Sequence, residues 1–306
     1  MSRIVVFGGG GFIGSAIRAS MDAAVAPTRA EADLADAQSL RRLLRPGDRV
    51  INAAGYAIAT DRSEDGRARL RRDNVDAVEV LAAECARVGA AQLIHISSVA
   101  AMGHRSGSNL DEKAMTEPRT PYGRSKRDAE ARLAGYADRV PITILRPTSV
   151  FGEGRPLAHL LCRIAALPLV PLPMGGRALI PFTYVGNVVA AVHASIGREA
   201  CHGRTFIVGD EGSYPLRAIV EGLGRGMGRR RLRVLPVPLT ALRLASRAEA
   251  RLRRGRAPTL DPVRIDTLTR SISYSIDAFR QATGYRPPVD LDEATSRIGR
   301  WYRNQR

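Results

Sequence analysis

A chain of 306 residues, 44% of them hydrophobic, can bury a sizeable core, with room for one large α/β domain and a smaller lobe. No uncharged apolar run reaches the length of a membrane-spanning helix, and the chain opens on a strand rather than a charged-then-apolar leader, so a cytoplasmic location is expected. The formal charge of +17 is nearly all arginine, Lys113 and Lys126 being the only lysines; without a reading module or interleaved aromatics it does not point to nucleic acid, and it reads as a solvated cationic face or a field that draws in anions.

Arg3 to Phe7 (RIVVF) predicts a short buried strand, followed at once by Gly8 to Gly11 and a helix opened by Phe12-Ile13-Gly14. Gly9, Gly11 and Gly14 satisfy G-x-G-x-x-G between a strand and a helix. That arrangement allows a tight turn, close approach of backbone to a pyrophosphate, and a helix start that receives the anion. The helix runs to about Met21 and a second strand to about Pro27. No acid ends that strand; Arg29 stands there instead, which favours NADP over NAD. Asp33-Leu34 either contacts adenine or caps a helix from Asp36 to Leu44. Arg49 to Asn52 is a third strand, and the small residues Ala53, Ala54 and Gly55 after it let the backbone lie against a cofactor. A helix from Arg67 to Val88 carries Asn74, and Gln92 to Ile96 is a strand ending at Ser97-Ser98. A loop with Asp111-Glu112 leads to a helix from Pro121 to about Tyr136, then to a strand from Ile142 to Arg146 closed by Pro147. Strands alternating with helices imply a Rossmann-like, doubly wound parallel α/β sheet.

After residue 150 the rhythm changes. Pro156, Pro168, Pro171 and Pro173 interrupt it, Ala178 to Tyr184 is strand-like, Val185 to Ile196 helical, and Thr205 to Val208 is one more strand of the sheet. Helices are expected at Leu216–Met227, Leu239–Arg254, Ile276–Thr283 and Leu291–Tyr302. The expected division is therefore a dinucleotide-binding domain over 1–150 plus the strand near 204–208, and a smaller, mostly helical substrate lobe over 151–306. Cys85, Cys162 and Cys201 are far apart and outside any metal-ligand spacing, so they read as buried small hydrophobes, with neither disulfide nor metal expected.

Tyr122 and Lys126 stand four residues apart on a predicted helix, so both side chains share one face. An ammonium beside a phenol favours the phenolate and gives an acid/base group usable near neutrality. Ser98, at the carboxyl end of a parallel strand, lies where such sheets bind ligands and can hold a substrate oxygen while Tyr122 moves the proton.

With these residues in place the chain resembles the extended short-chain dehydrogenase/reductase family, of the NAD-dependent epimerase/dehydratase type. The likeness rests on GGGGFIG (Gly8 to Gly14), NAAG (Asn52 to Gly55), Asn74, ISSVA (Ile96 to Ala100) and YGRSK (Tyr122 to Lys126). LRPTSVFG (Leu145 to Gly152), YVGNV (Tyr184 to Val188) and GYRPP (Gly284 to Pro288) before Trp301-Tyr302 extend it. The resemblance implies Tyr122 as acid/base, Lys126 on the nicotinamide ribose, Ser98 on the substrate oxygen and Asn74 in support. Cofactor contacts are expected from Gly8, Gly11, Phe12, Ile13, Gly14, Arg29, Asp33, Leu34, Ala53, Ala54, Gly55, Asn74, Lys126 and Pro147.

The departures narrow the reaction. Val99-Ala100 follows Ser98 where dehydratases carry an Asp-Glu pair, which argues against elimination. Met102-Gly103 replaces a Tyr-Gly, placing Met102 at the substrate. Ile180-Pro181-Phe182 occupies the place of the arginine that sugar-nucleotide epimerases put on the diphosphate, leaving Arg177 or a later arginine for that task. Asn187 is also seen in hydroxysteroid-dehydrogenase-like members. The leading reading is an NAD(P)-dependent oxidoreductase interconverting a secondary alcohol and a ketone, as a 4-ketoreductase on a nucleotide-linked sugar. A sugar-nucleotide 4-epimerase, a lipid- or steroid-alcohol dehydrogenase and a non-catalytic cofactor sensor are the alternatives. The expected partner is a small-molecule substrate, and a homodimer is compatible with the sequence. The basic stretch from Arg225 to Arg256 reads as an ordinary lobe helix packed on the core, with an anionic membrane surface as the alternative.

Overall fold

The computed structural model describes residues 3–57, 63–104, 106–252 and 262–305. Its centre is a parallel sheet whose strands lie in the order Ile4–Phe7, Arg49–Asn52, Gln92–Ile96, Ile142–Pro147 and Arg204–Val208. Alternate residues face opposite sides, as a two-residue period requires. Val5, Val50, Leu93 and Ile142 join one core with the helices Ala37–Leu43, Ala77–Val88 and Pro121–Ala134. Val6, Ile51, Ile94 and Leu145 join the other, against the helices Phe12–Ala19 and Val185–Ser195.

The expected second strand shrinks to one bridge. Val25 pairs with Val5 on the outer side of the first strand, Val25 N–H donating to Ile4 O at 2.9 Å and Val6 N–H to Val25 O at 2.8 Å. Pro27 has no N–H to continue the ladder. This short bridge still fixes the topology: the chain passes to one side of the first strand at Val25 and builds the later strands of this sheet on the other. The crevice between the ends of Ile4–Phe7 and Arg49–Asn52 is therefore the switch point where such sheets bind ligands.

Three other expectations change. The Arg67–Val88 helix starts earlier, at Glu64 behind a Ser63 cap, and is broken by a π-turn over Arg72–Asp76. Asp36, not Asp33, caps the helix Ala37–Leu43 by accepting from Gln38 N–H at 2.9 Å. Pro156 starts the helix Pro156–Ala165 instead of interrupting one, since the first helical position needs no N–H.

The second half is built around a separate core that includes Phe151, Leu161, Val170, Phe182, Leu223, Ile298 and Tyr302. It contains more strand than expected: Ser149–Phe151 pairs with Phe182–Tyr184, Leu179–Ile180 with Tyr214–Pro215, and Val170–Pro173 with Val234–Val237. Ile272–Tyr274 runs back to pair with Gly107–Leu110, in the loop that follows Ser98. The helix expected over Leu239–Arg254 is seen as Leu239–Leu252, and Arg253, Arg254 and Arg256 lie outside the described residues. No helix among the described residues is long and apolar enough to cross a membrane.

Candidate active site

The glycine turn is set by backbone crowding. Gly8 has φ +82°, and a Cβ there would lie 2.4 Å from Ala54 N, so the turn and the Ala53-Ala54 loop touch through their backbones. A Cβ on Gly14 would lie 2.0 Å from Gly8 O, so the helix Phe12–Ala19 packs on the turn with no room for a side chain. The helix begins at Gly11 without any side-chain cap. Its first N–H groups are left for a ligand, which is what a pyrophosphate requires. Around Gly10 a Cβ would meet nothing within 4 Å, so the crevice is open there.

Asn74 is fully buried in the π-turn. Its Oδ1 accepts from Tyr56 N–H at 2.7 Å, while Nδ2 donates to Tyr56 O at 2.9 Å and to Ser125 Oγ at 2.9 Å. It thereby pins the Gly55 loop to the helix Pro121–Ala134. That helix is started by Thr120, whose Oγ1 accepts from Gly123 N–H at 3.0 Å, with Pro121 behind the cap. Gly123 is the residue that brings the helix onto the Ser98 turn: a Cβ on it would lie 2.4 Å from Ala100 O. Tyr122 next to it is thus set against Ser98, whose hydroxyl acts on the phenol. Ser98 Oγ also accepts from Ala100 N–H at 3.1 Å.

The electrostatics differ from the sequence expectation. Burial raises the Tyr122 phenol above its ordinary value, with the Ser98 hydrogen bond and the Arg155 charge pulling the other way. Lys126 is buried, donates to Ile96 O at 2.9 Å, and is itself lowered by burial to about 8, with Glu130 opposing. Glu130 is engaged in a buried bidentate pair with Arg146, at 3.0 and 2.6 Å, and also accepts from Ser97.

Ser98 and Tyr122 open on a cleft of about 610 Å³. Ile13 and Pro147 line it, and Val150, Phe151, Leu157, Pro181 and Ile272 give it an apolar wall. Arg119, Arg155 and Arg270 line the same space. Arg155 stacks on Phe12, 4.8 Å from the ring centroid, and Arg270 pairs with Asp266 at 3.4 Å. A second hollow of about 430 Å³ adjoins it, sharing Gly103, His104, Arg119 and Arg270.

Several expected residues lie elsewhere. Met102 is fully buried in the core and touches only the adjoining hollow, because Gly103, not the methionine, turns toward the cleft. Arg177 is exposed after the turn Met174–Gly176 and does not line the cleft; the arginines that do come from three other segments. Asn187 is buried away from it, bonding Asp210 Oδ1 at 2.7 Å and holding Val289 through both its N–H and its carbonyl. Leu34 sends its side chain into the core. Arg29 is paired with Asp33 at 3.3 Å and with Asp73 at 3.1 Å, and Asp33 also with Arg72 at 3.2 Å. Gly123 and Ser125 stood inside the YGRSK motif unread; Arg119, Arg155 and Arg270 carried no local signal among so many arginines.

The sequence model of the NAD dependent epimerase/dehydratase family matches residues 4–209. The chain belongs to this family. It is an NAD(P)-dependent enzyme of the extended short-chain dehydrogenase/reductase type. An uncharacterized protein of Escherichia coli is 30% identical over 198 residues, a match spanning 60% of this chain and 57% of that protein. A 2-alkyl-3-oxoalkanoate reductase of Stenotrophomonas maltophilia is 25% identical over 328 residues, covering 97% of this chain and 98% of the relative. A dTDP-4-dehydrorhamnose reductase of Mycobacterium tuberculosis is 33% identical over 242 residues, covering 72% and 76%. Among solved structures, RMD from Pseudomonas aeruginosa complexed with NADPH has the same fold, with a TM-score of 0.76 and 19% identity over the whole of both chains.

Proposed function

We propose that this chain is an NAD(P)H-dependent ketone reductase acting on a substrate that carries an anionic group, with a 4-keto sugar linked to a nucleoside diphosphate as the leading candidate. The observation that carries this reading is one cleft lined by both Ser98 and Tyr122 and by three arginines. A phenol held above its ordinary pKa is a proton donor at neutrality, and reduction of a carbonyl needs a donor. Ser98 holds the carbonyl oxygen by its hydroxyl, and Tyr122 gives that oxygen its proton as the alcohol forms. A nicotinamide held in the crevice would supply the hydride. Lys126 offers its ammonium to the ribose hydroxyls at the floor of the crevice, and Asn74 keeps the Gly55 loop in place beside it. Arg119, Arg155 and Arg270 receive the substrate's phosphates. The dTDP-4-dehydrorhamnose reductase named above supports the choice of a keto sugar.

A second reading, a 3-oxo acid with alkyl chains, is favoured by the apolar wall from Val150 to Ile272 and by the full-length likeness to the 2-alkyl-3-oxoalkanoate reductase. Incubating the protein with NADPH or NADH and each ketone class, and following loss of the reduced cofactor, separates the readings. Net consumption with a dTDP-4-keto sugar supports the first; consumption only with the oxo acid transfers the assignment to the second. Interconversion of a nucleotide sugar without net consumption makes it an epimerase. Cofactor binding without any turnover across the panel makes it a sensor.

A further inference from the structure

The helix Leu239–Leu252 is oriented against the usual rule for a helix at a protein surface, whose apolar stripe faces the core. Its partly or fully buried positions are Leu239, Leu242, Ser246 and Glu249, so a serine and the helix's only acid share the inward side. At 3.6 residues per turn, Ala241, Leu244, Ala245, Ala248 and Leu252 fall on the opposite sector, and all of them are exposed. Leu244 is 63% and Leu252 84% exposed. Beside that sector Arg243, Arg247 and Arg251 form a row spaced by four residues. These arginines have no ion pair among the described residues, whereas Arg41, Arg217 and Arg297 on other helices are each matched to a glutamate.

The same character continues upstream. Arg230, Arg231 and Arg233 are exposed, and between positions 229 and 252 there are seven arginines against the single inward-facing Glu249. The strand Val234–Val237 that leads into the helix presents Leu235, and its ladder partner begins next to the exposed Leu167 and Leu169. Protruding leucines among unmatched arginines meet the demands of one partner in particular. A nucleic acid neutralises arginines but does not reward exposed leucines. A bilayer with acidic headgroups does both: its phosphates pair with the guanidinium groups, and its acyl boundary takes up the leucines.

We propose that the face formed by residues 230–252 docks on an anionic phospholipid bilayer. The helix packs on Pro262–Thr269, where Asp266, together with Arg270 just beyond it, lines the cleft, so docking brings one wall of the cleft next to the membrane.

The test is sedimentation of the full-length protein with vesicles of phosphatidylcholine, with and without phosphatidylglycerol. Binding is expected only to the phosphatidylglycerol vesicles and is reversed by high salt. L244S/L252S should weaken it at least tenfold, and each of R243Q, R247Q and R251Q roughly fivefold. All these variants should keep the wild-type melting temperature and NAD(P)H affinity, because the residues touch neither the core nor the crevice. Absence of binding at low salt, or equal binding to pure phosphatidylcholine, overturns the proposal. So does binding that the leucine variant leaves unchanged while duplex DNA competes for it, which would make the face a nucleic-acid surface.

Discussion

In the proposed function the cofactor crevice and the substrate cleft meet at Tyr122, and they are built on opposite plans. The crevice is a backbone object. Gly8 lies against Ala54 and Gly14 against Gly8, at separations that exclude any Cβ. The cleft is a side-chain object, assembled from segments as distant as Ser98, Arg155, Pro181 and Arg270, with walls that are apolar on one side and cationic on another. Under the proposed function the difference teaches where each half would be stored: affinity for a common cofactor in a short stretch of crowded backbone, and choice of substrate in scattered side chains that can change one at a time.

Four perturbations break or sharpen that comparison. The largest effect belongs to the residue shared by both halves. Tyr122→Phe removes the proton donor and keeps the ring, so turnover on the identified ketone should fall by about 10²–10⁴, the usual span of general acid catalysis, with cofactor affinity near wild type. Wild-type turnover in this variant places the proton path elsewhere.

Gly14→Ala tests the backbone half. The new methyl needs the space of Gly8 O, so the helix must shift. We expect a loss of roughly 1–3 kcal/mol of stability, as for overpacking, together with loss of cofactor binding. Gly11→Ala, whose Cβ would meet only Gly8 O at 3.3 Å, should melt near wild type. Equal thermal shifts in the two variants would refute the crowding argument.

Arg155→Gln tests the side-chain half. Losing a hydrogen bond to a charged partner costs about 1.5–3 kcal/mol, so KM for the anionic substrate should rise roughly ten- to a hundredfold at that cost, with cofactor binding unchanged. Arg177→Gln, outside the cleft, should leave KM alone. Steady-state kinetics of the pair decides which arginine replaces the one missing before Phe182.

The mildest perturbation is pH. Lys126 carries its charge below about 8 and loses it above, while the Tyr122 phenol stays protonated well past neutrality. In the proposed mechanism the ammonium anchors the ribose and the phenol is the acid. The kcat/KM of reduction should therefore be level through neutrality and decline as pH passes about 8. Lys126→Arg should move that decline upward, since a guanidinium does not titrate in this range. A decline that stays in place assigns it to another group.

The short-range features of this protein were set by its sequence. A strand of apolar residues, a glycine turn, a helix without a cap, and a tyrosine and lysine one turn apart are all decided by neighbours within a few positions, through backbone sterics and helical periodicity. So the sheet, the crevice and the Ser98–Tyr122–Lys126 set were legible in RIVVFGGGGFIG, ISSVA and YGRSK. Tertiary structure decided everything that depends on which distant surfaces meet. It withdrew Met102 into the core, left Arg177 outside, and brought Arg119, Arg155 and Arg270 together from three segments. It also set the direction for Tyr122: the lysine shares its helix face and gives one N–H to the Ile96 carbonyl, while burial raises the phenol. Spacing along a helix says which side chains share a face; desolvation and competing partners, which set a pKa, come from the rest of the fold.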